Sequence, residues 1–189
     1  MGGRLREIAS KGQLRLAYLR WAVVTVPFVL LLGLASARLA PVGSANPWFL
    51  RLAKPGYLPP EWVFPVALAI VFALMGLALA MVINARGSRA RRSALLLFAA
   101  QMVPGLAWPP VFFGMHQVTA ALALVVAAAV LGLLAVILFG RVRMGAALLL
   151  LPYLGWLGFA GALLYEIDRR NPDAASLVLA RPADQMQIQ

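Results

Sequence analysis

Few side chains in this sequence could do chemistry, and their types narrow what that chemistry could be. There is no cysteine and a single histidine, His116, with 6 acidic residues against 17 basic ones. Thiolate catalysis, disulfide frameworks and cysteine-based zinc or iron–sulfur sites are therefore excluded, and one imidazole cannot build a histidine-rich metal site. No Ser/His/Asp constellation or phosphate-cradling glycine loop is present. What remains is an aromatic set with an isolated polar handle: Tyr57, Trp62, Gln101, Trp108, Tyr153 and Trp156. Such groups stack on flat apolar molecules and supply single hydrogen bonds. Glu166, Asp168, Arg169 and Arg170 cluster at the end of an apolar run, where a solvated face is commoner than a proton relay. No acidic residue lies inside the runs before Glu166, so ion-coupled pumping has little support.

The elements that must position these groups are set by hydropathy. Of the 189 residues 63% are hydrophobic and only 12% charged, with a mean hydropathy of +0.87, so lipid is the expected solvent. Apolar runs at about 18–39, 62–84, 93–113, 117–140 and 144–167 are each long enough to cross a hydrocarbon core of about 30 Å. The fold class is thus an all-α integral membrane bundle of five transmembrane helices. A basic segment, 1–17, precedes it, and a polar, mobile tail, 171–189, follows. Cleavage after Ala35, Ser36 and Ala37, in the manner of a signal peptide, is the competing reading of the first run.

The net charge of +11 would suggest nucleic acid in a soluble protein, but here the basic residues sit between apolar runs and report topology. Arg4, Arg6, Lys11, Arg15, Arg20, Arg86, Arg89, Arg91, Arg92, Arg141 and Arg143 fall on one side. Arg38, Arg51, Lys54, Arg169, Arg170 and Arg181 fall on the other. The positive-inside rule puts the amino terminus in the cytoplasm and, with an odd number of spans, the carboxyl terminus outside. The basic start and the absence of a serine-rich transit segment suit a bacterial inner membrane.

Three stretches carry the candidate site. The longest link, 40–61, holds Pro41, Pro47, Pro55, Pro59 and Pro60, and its end reads LAKPGYLPPEWVFP. A proline-stiffened loop bearing Tyr57 and Trp62 could cap a cavity at little entropic cost, or be an interfacial aromatic belt. The third run, FAAQMVPGLAWPPVFFG, places Gln101 at membrane depth and Pro104, Pro109 and Pro110 around Trp108. Its freed carbonyls need partners, so a kink or unwound end is expected near Trp108. The last run puts Tyr153, Trp156, Ala160, Leu163 and Leu164 on one face, with Gly155, Gly158 and Gly161 leaving room for helix packing or a flat ligand. Leu163, Tyr165 and Arg169 fit the loose sterol-contact pattern.

Together KPGYLPPEWVFP, AAQMVPGLAWPPVFFG and LPYLGWLGFAGALLYEIDRRNP, in that order and at those helices, resemble the TspO/MBR family of translocator and tryptophan-rich sensory proteins. The resemblance spans about Trp48 to Asn171. It implies a five-helix bundle, often dimeric, with a cavity under the first loop that accepts porphyrins, haem or sterol-like ligands and with no obligatory cofactor. It implies that Trp156 lines that cavity, that Tyr57 stands near a loop aromatic of the family and that Ala160 faces the pocket.

The departures from the family pattern matter as well. Leu68 and Phe72 stand where the family commonly has Trp and Tyr, Gly105 where it has Asn, and Leu164 where it has Asn. Fewer polar contacts favour an apolar ligand over a carboxylate-bearing one. The missing Trp at Leu68 argues against the porphyrin breakdown reported for the family. The expected function is a membrane receptor, sensor or regulator of tetrapyrroles or sterol-like molecules. Transport of such ligands, enzymatic porphyrin breakdown, and a structural subunit are the alternatives.

Overall fold

The computed structural model describes residues 11–177, so Arg4, Arg6 and Arg181 lie outside the described residues. The helices are α1 (Lys11–Ala37), the short α2 (Pro47–Arg51), α3 (Val63–Asn84), α4 (Arg91–Pro109), α5 (Val118–Val142) and α6 (Met144–Arg170). All but α2 are long and apolar enough to span a membrane, giving 5 spans. Around the bundle the order is α1, α3, α6, α5, α4, and α4 closes the ring with only sparse contact to α1 and α3. Leu31, Val126, Leu133, Leu148 and Leu151 point outward, as a lipid-facing surface requires.

Between helices in lipid there is no hydrophobic drive, so close approach and buried polar contacts must hold the bundle. The α1–α3 pair has both. A Cβ on Gly76 would stand 2.6 Å from the Val26 Cα, and the Thr25 hydroxyl donates to the Gly76 carbonyl at 2.7 Å. Higher on the same seam, the Phe72 ring fills the space beside Gly33 that a side chain would take.

The prolines of α4 have the consequence their positions require. Past Pro109 the helix widens into a π-helical turn, Pro110–Gly114, closed by a Met115 N–H to Pro110 carbonyl bond of 3.0 Å. Pro110 has no N–H to give the carbonyl of Leu106 one turn back, and the Ser36 hydroxyl of α1 donates to that carbonyl at 2.6 Å. This bond latches the sparse α1–α4 seam. On the opposite flank of α4, Phe98 stacks on Phe139 of α5 at 5.7 Å.

Candidate functional site

The 40–61 link is folded onto the end of the bundle by three side chains. Asn46 caps α2, accepting from the Phe49 N–H at 3.1 Å, and its amide donates to the carbonyls of Pro41 and Phe113, both at 2.9 Å. Pro47 follows at the first helical position, where its missing N–H costs nothing. Trp48 is buried, its indole N–H donating to the Ala174 carbonyl at 2.7 Å, with Phe112 at 5.2 Å and His116 at 4.7 Å from its ring. Asn171, at the end of α6, binds the Ala53 backbone twice, accepting at 2.8 Å and donating at 2.9 Å, and also donates to Ile167 at 2.7 Å.

Lys54 completes the cap. Its ammonium donates to the carbonyls of Phe49, Leu50 and Leu52, the exposed negative end of α2, and lies 4.8 Å from the Phe49 ring centre. Desolvation by burial lowers its pKa from the ordinary lysine value. Below the loop, Phe49, Phe112 and Phe113 meet edge to face.

Deeper in the bundle a short polar column runs along one face of α4. Gln101 is 1% exposed and its Oε1 has no hydrogen-bond partner. One turn on, Gly105 faces Tyr153 of α6, whose hydroxyl lies 3.0 Å from where a Gly105 Cβ would stand. The same ring comes within 3.2 Å of the corresponding position at Gly132 of α5. Tyr153 thus occupies a slot cut by two glycines, and its hydroxyl brings polarity to the level where Gly105 has no side chain.

The remaining aromatics lie between this column and the cap. Trp156 is half-buried, edge-on to Phe64 of α3 at 5.8 Å and tilted against Phe159 at 5.6 Å. Trp108, also half-buried, lies 6.3 Å from both Phe112 and Phe113. Tyr153, Ala160, Leu163 and Leu164 share the buried stripe of α6, and Trp156 sits on its α3-facing flank.

Four expected residues stand apart from this interior. Tyr57 is exposed, its hydroxyl donating to the Ala162 carbonyl at 3.4 Å, and Trp62 is 67% exposed. In the sterol-contact pattern Leu163 points inward, while exposed Tyr165 carries the Arg169 guanidinium 5.8 Å from its ring centre. Tyr165 lines an outer groove of about 460 Å³ between α5 and α6, with Val126, Leu157, Gly158 and Gly161. The tail expected to be mobile after Asn171 begins instead with a packed turn, Ala174–Leu177, because Trp48 and Asn171 bind its first residues to the cap. Sequence reasoning missed Asn46, Trp48 and Asn171 as the pins of the cap. The Asn46–Pro47 pair, a capping residue before a first-turn proline, was the available signal.

A family model described as the TspO/MBR family matches residues 23–170. The chain belongs to the TspO/MBR family. It is 37% identical over 129 residues to the tryptophan-rich protein TspO of Chlorobaculum tepidum, covering 68% of this chain and 82% of that one. It is similar to protein CrtK of Rhodobacter capsulatus, 31% over 137 residues, 72% of this chain and 86% of the relative. The translocator protein of Bos taurus is 32% identical over 131 residues, 68% of this chain and 78% of its own. TspO/MBR membership and the five apolar spans make the chain an integral membrane protein, and its all-helical bundle is the architecture of the family.

Proposed function

We propose that this TspO/MBR protein is a membrane receptor or sensor that takes a flat hydrophobic ligand, a tetrapyrrole such as porphyrin or haem or a sterol-like molecule, into the bundle beneath the 40–61 cap. The observation that carries the reading is the buried, unpartnered Oε1 of Gln101 on the face of α4 that leads to Tyr153. An unsatisfied buried acceptor costs about 1–3 kcal/mol, and a ligand N–H or O–H would recover it. Trp108, Tyr153, Trp156 and Ala160 supply the surrounding wall, and the sparse contact of α4 with α1 and α3 leaves the side on which the bundle can open. Tyr57 and Trp62 belong to the rim of the cap. The names of the relatives, a tryptophan-rich sensory protein of Cereibacter sphaeroides among them, support a sensing role over turnover.

In this reading the protein lies in a bacterial inner membrane with its amino terminus cytoplasmic. The cap, the π turn of α4 and the end of α6 are joined by hydrogen bonds and so lie together on the outer side. The open surface beside Gly155 and Gly158 allows close approach of a second copy, consistent with a homodimer.

The test is quenching of tryptophan fluorescence by titrated protoporphyrin, haem and cholesterol in detergent-solubilised protein. Saturable quenching, weakened by Trp156→Phe and by Gln101→Leu and unchanged by Arg89→Ala, is expected. Linear quenching for every ligand, or equal effects of Trp156→Phe and Arg89→Ala, would refute the pocket. Uptake of the same ligands into sealed vesicles would instead indicate transport.

A further inference from the structure

The end of the bundle opposite the cap holds a second concavity, of about 570 Å³, lined by Gly87, Ser88, Arg89, Arg91, Arg92, Leu95 and Leu96. From it we infer a binding site for an anionic phospholipid, its phosphate held by the arginines and its acyl chain lying along Leu95 and Leu96.

The charge balance at this end calls for an anion. Arg86, Arg89, Arg91 and Arg92 stand within seven residues of chain, and Arg141 and Arg143 lie on the same side in the α5–α6 link. Among the described residues every carboxylate is at the other end: Glu61 in the cap, and Glu166, Asp168 and Asp173 at and beyond the end of α6. The one ion pair among the described residues, Arg170 with Glu166 at 2.9 Å, is also there. Among the described residues the arginines of the concavity therefore have no carboxylate beside them, and the Arg91 Nε is buried with no hydrogen-bond partner. The start of α4 adds to the field rather than relieving it, since Ala90 provides no side-chain cap and the first turn contains no acid.

The shape selects a lipid over a soluble anion. The basic rim sits directly above Leu95 and Leu96 on the outer surface of α4, and Leu96 is 63% exposed. A charged rim over an exposed apolar strip at the membrane boundary matches an amphiphile whose head is at the interface and whose tail runs down the helix. Gly87, at φ +85°, makes the turn, and a side chain there would meet nothing, so the approach is open. The site is built from residues that the proposed ligand pocket does not use, so either can fail without the other.

The experiment is lipid retention by the purified full chain in nanodiscs or mixed micelles containing phosphatidylglycerol and phosphatidylcholine with identical acyl chains. The readouts are native mass spectrometry and the shift in melting temperature on adding each lipid. Wild type should enrich phosphatidylglycerol and be stabilised by it. Arg91→Gln combined with Arg92→Gln should weaken retention by about 25-fold, taking about fivefold for each arginine. The pair Arg141→Gln and Arg143→Gln, on the same side but outside the concavity, should have a much smaller effect. Equal loss from both pairs would show diffuse surface attraction and overturn the site, as would equal retention of the two lipids. Inorganic phosphate should not reproduce the stabilisation, and if it does, the lipid assignment is wrong. Unchanged helical circular dichroism and unchanged porphyrin quenching in the variants exclude misfolding as the cause.

Discussion

Replacing Asn171 with alanine tests whether the cap is a separately stable unit over the candidate site. The substitution removes three hydrogen bonds of 2.7–2.9 Å, two to the Ala53 backbone and one to Ile167, from a residue only 8% exposed. Each is worth about 0.5–1.5 kcal/mol net, and the two that hold the exposed Ala53 backbone, the third lying within the end of α6, give about 1–3 kcal/mol for the cap. The helices do not depend on these bonds, so the loss should fall on opening of the cap and not on global unfolding. At about 1.4 kcal/mol per factor of ten, amide hydrogen exchange within 47–62 should accelerate by about 5- to 140-fold. Exchange in α5 should stay at the wild-type rate. Asn171→Asp, which keeps the acceptor for the Ala53 N–H and loses both donations, should fall between the two. No acceleration in the loop, or equal acceleration in α3 and α5, would refute the argument that Asn171 pins the cap.

Further outcomes follow from single contacts. Ser36→Ala should leave the Leu106 carbonyl without a donor and destabilise the α1–α4 seam by about 1–3 kcal/mol, read from chemical denaturation in detergent. Gly76→Ala forces a Cβ against the Val26 backbone, and a melting temperature equal to wild type would show that the α1–α3 contact yields more easily than the 2.6 Å approach implies. Gln101→Leu should reduce affinity for ligands bearing an N–H or O–H by about 10- to 100-fold while leaving the helical fold intact, checked by fluorescence quenching. Trp48→Phe keeps an aromatic ring beside Phe112 but removes the donation to Ala174 and part of a buried ring, so it should also accelerate exchange in the cap, and a wild-type rate there would show that Trp48 does not pin it.

Much of this protein follows from sequence alone, because lipid imposes strong rules on a chain. A backbone in hydrocarbon must satisfy its own polar groups, so long apolar runs become helices whatever surrounds them. Five such runs and the short links between them therefore fixed the span count and which links share a side. The prolines around Trp108 likewise announced an irregular end to α4, since a missing N–H is a local property. The three motifs carried the family, as their residue types recur in order.

Which groups meet is a different question, because neither hydropathy nor spacing specifies the order of helices around a bundle. Only the tertiary structure placed α6 between α3 and α5, and so set Trp156 against Phe64 and Tyr153 between Gly105 and Gly132. It showed the proline loop pinned to the end of the bundle by Asn46, Trp48 and Asn171, the last of these 118 residues from its partner Ala53. It also sent Trp62 and Tyr57 outward, since side chains of similar composition face lipid or interior according to rotation of their segment, which a one-dimensional pattern of mostly apolar residues does not encode.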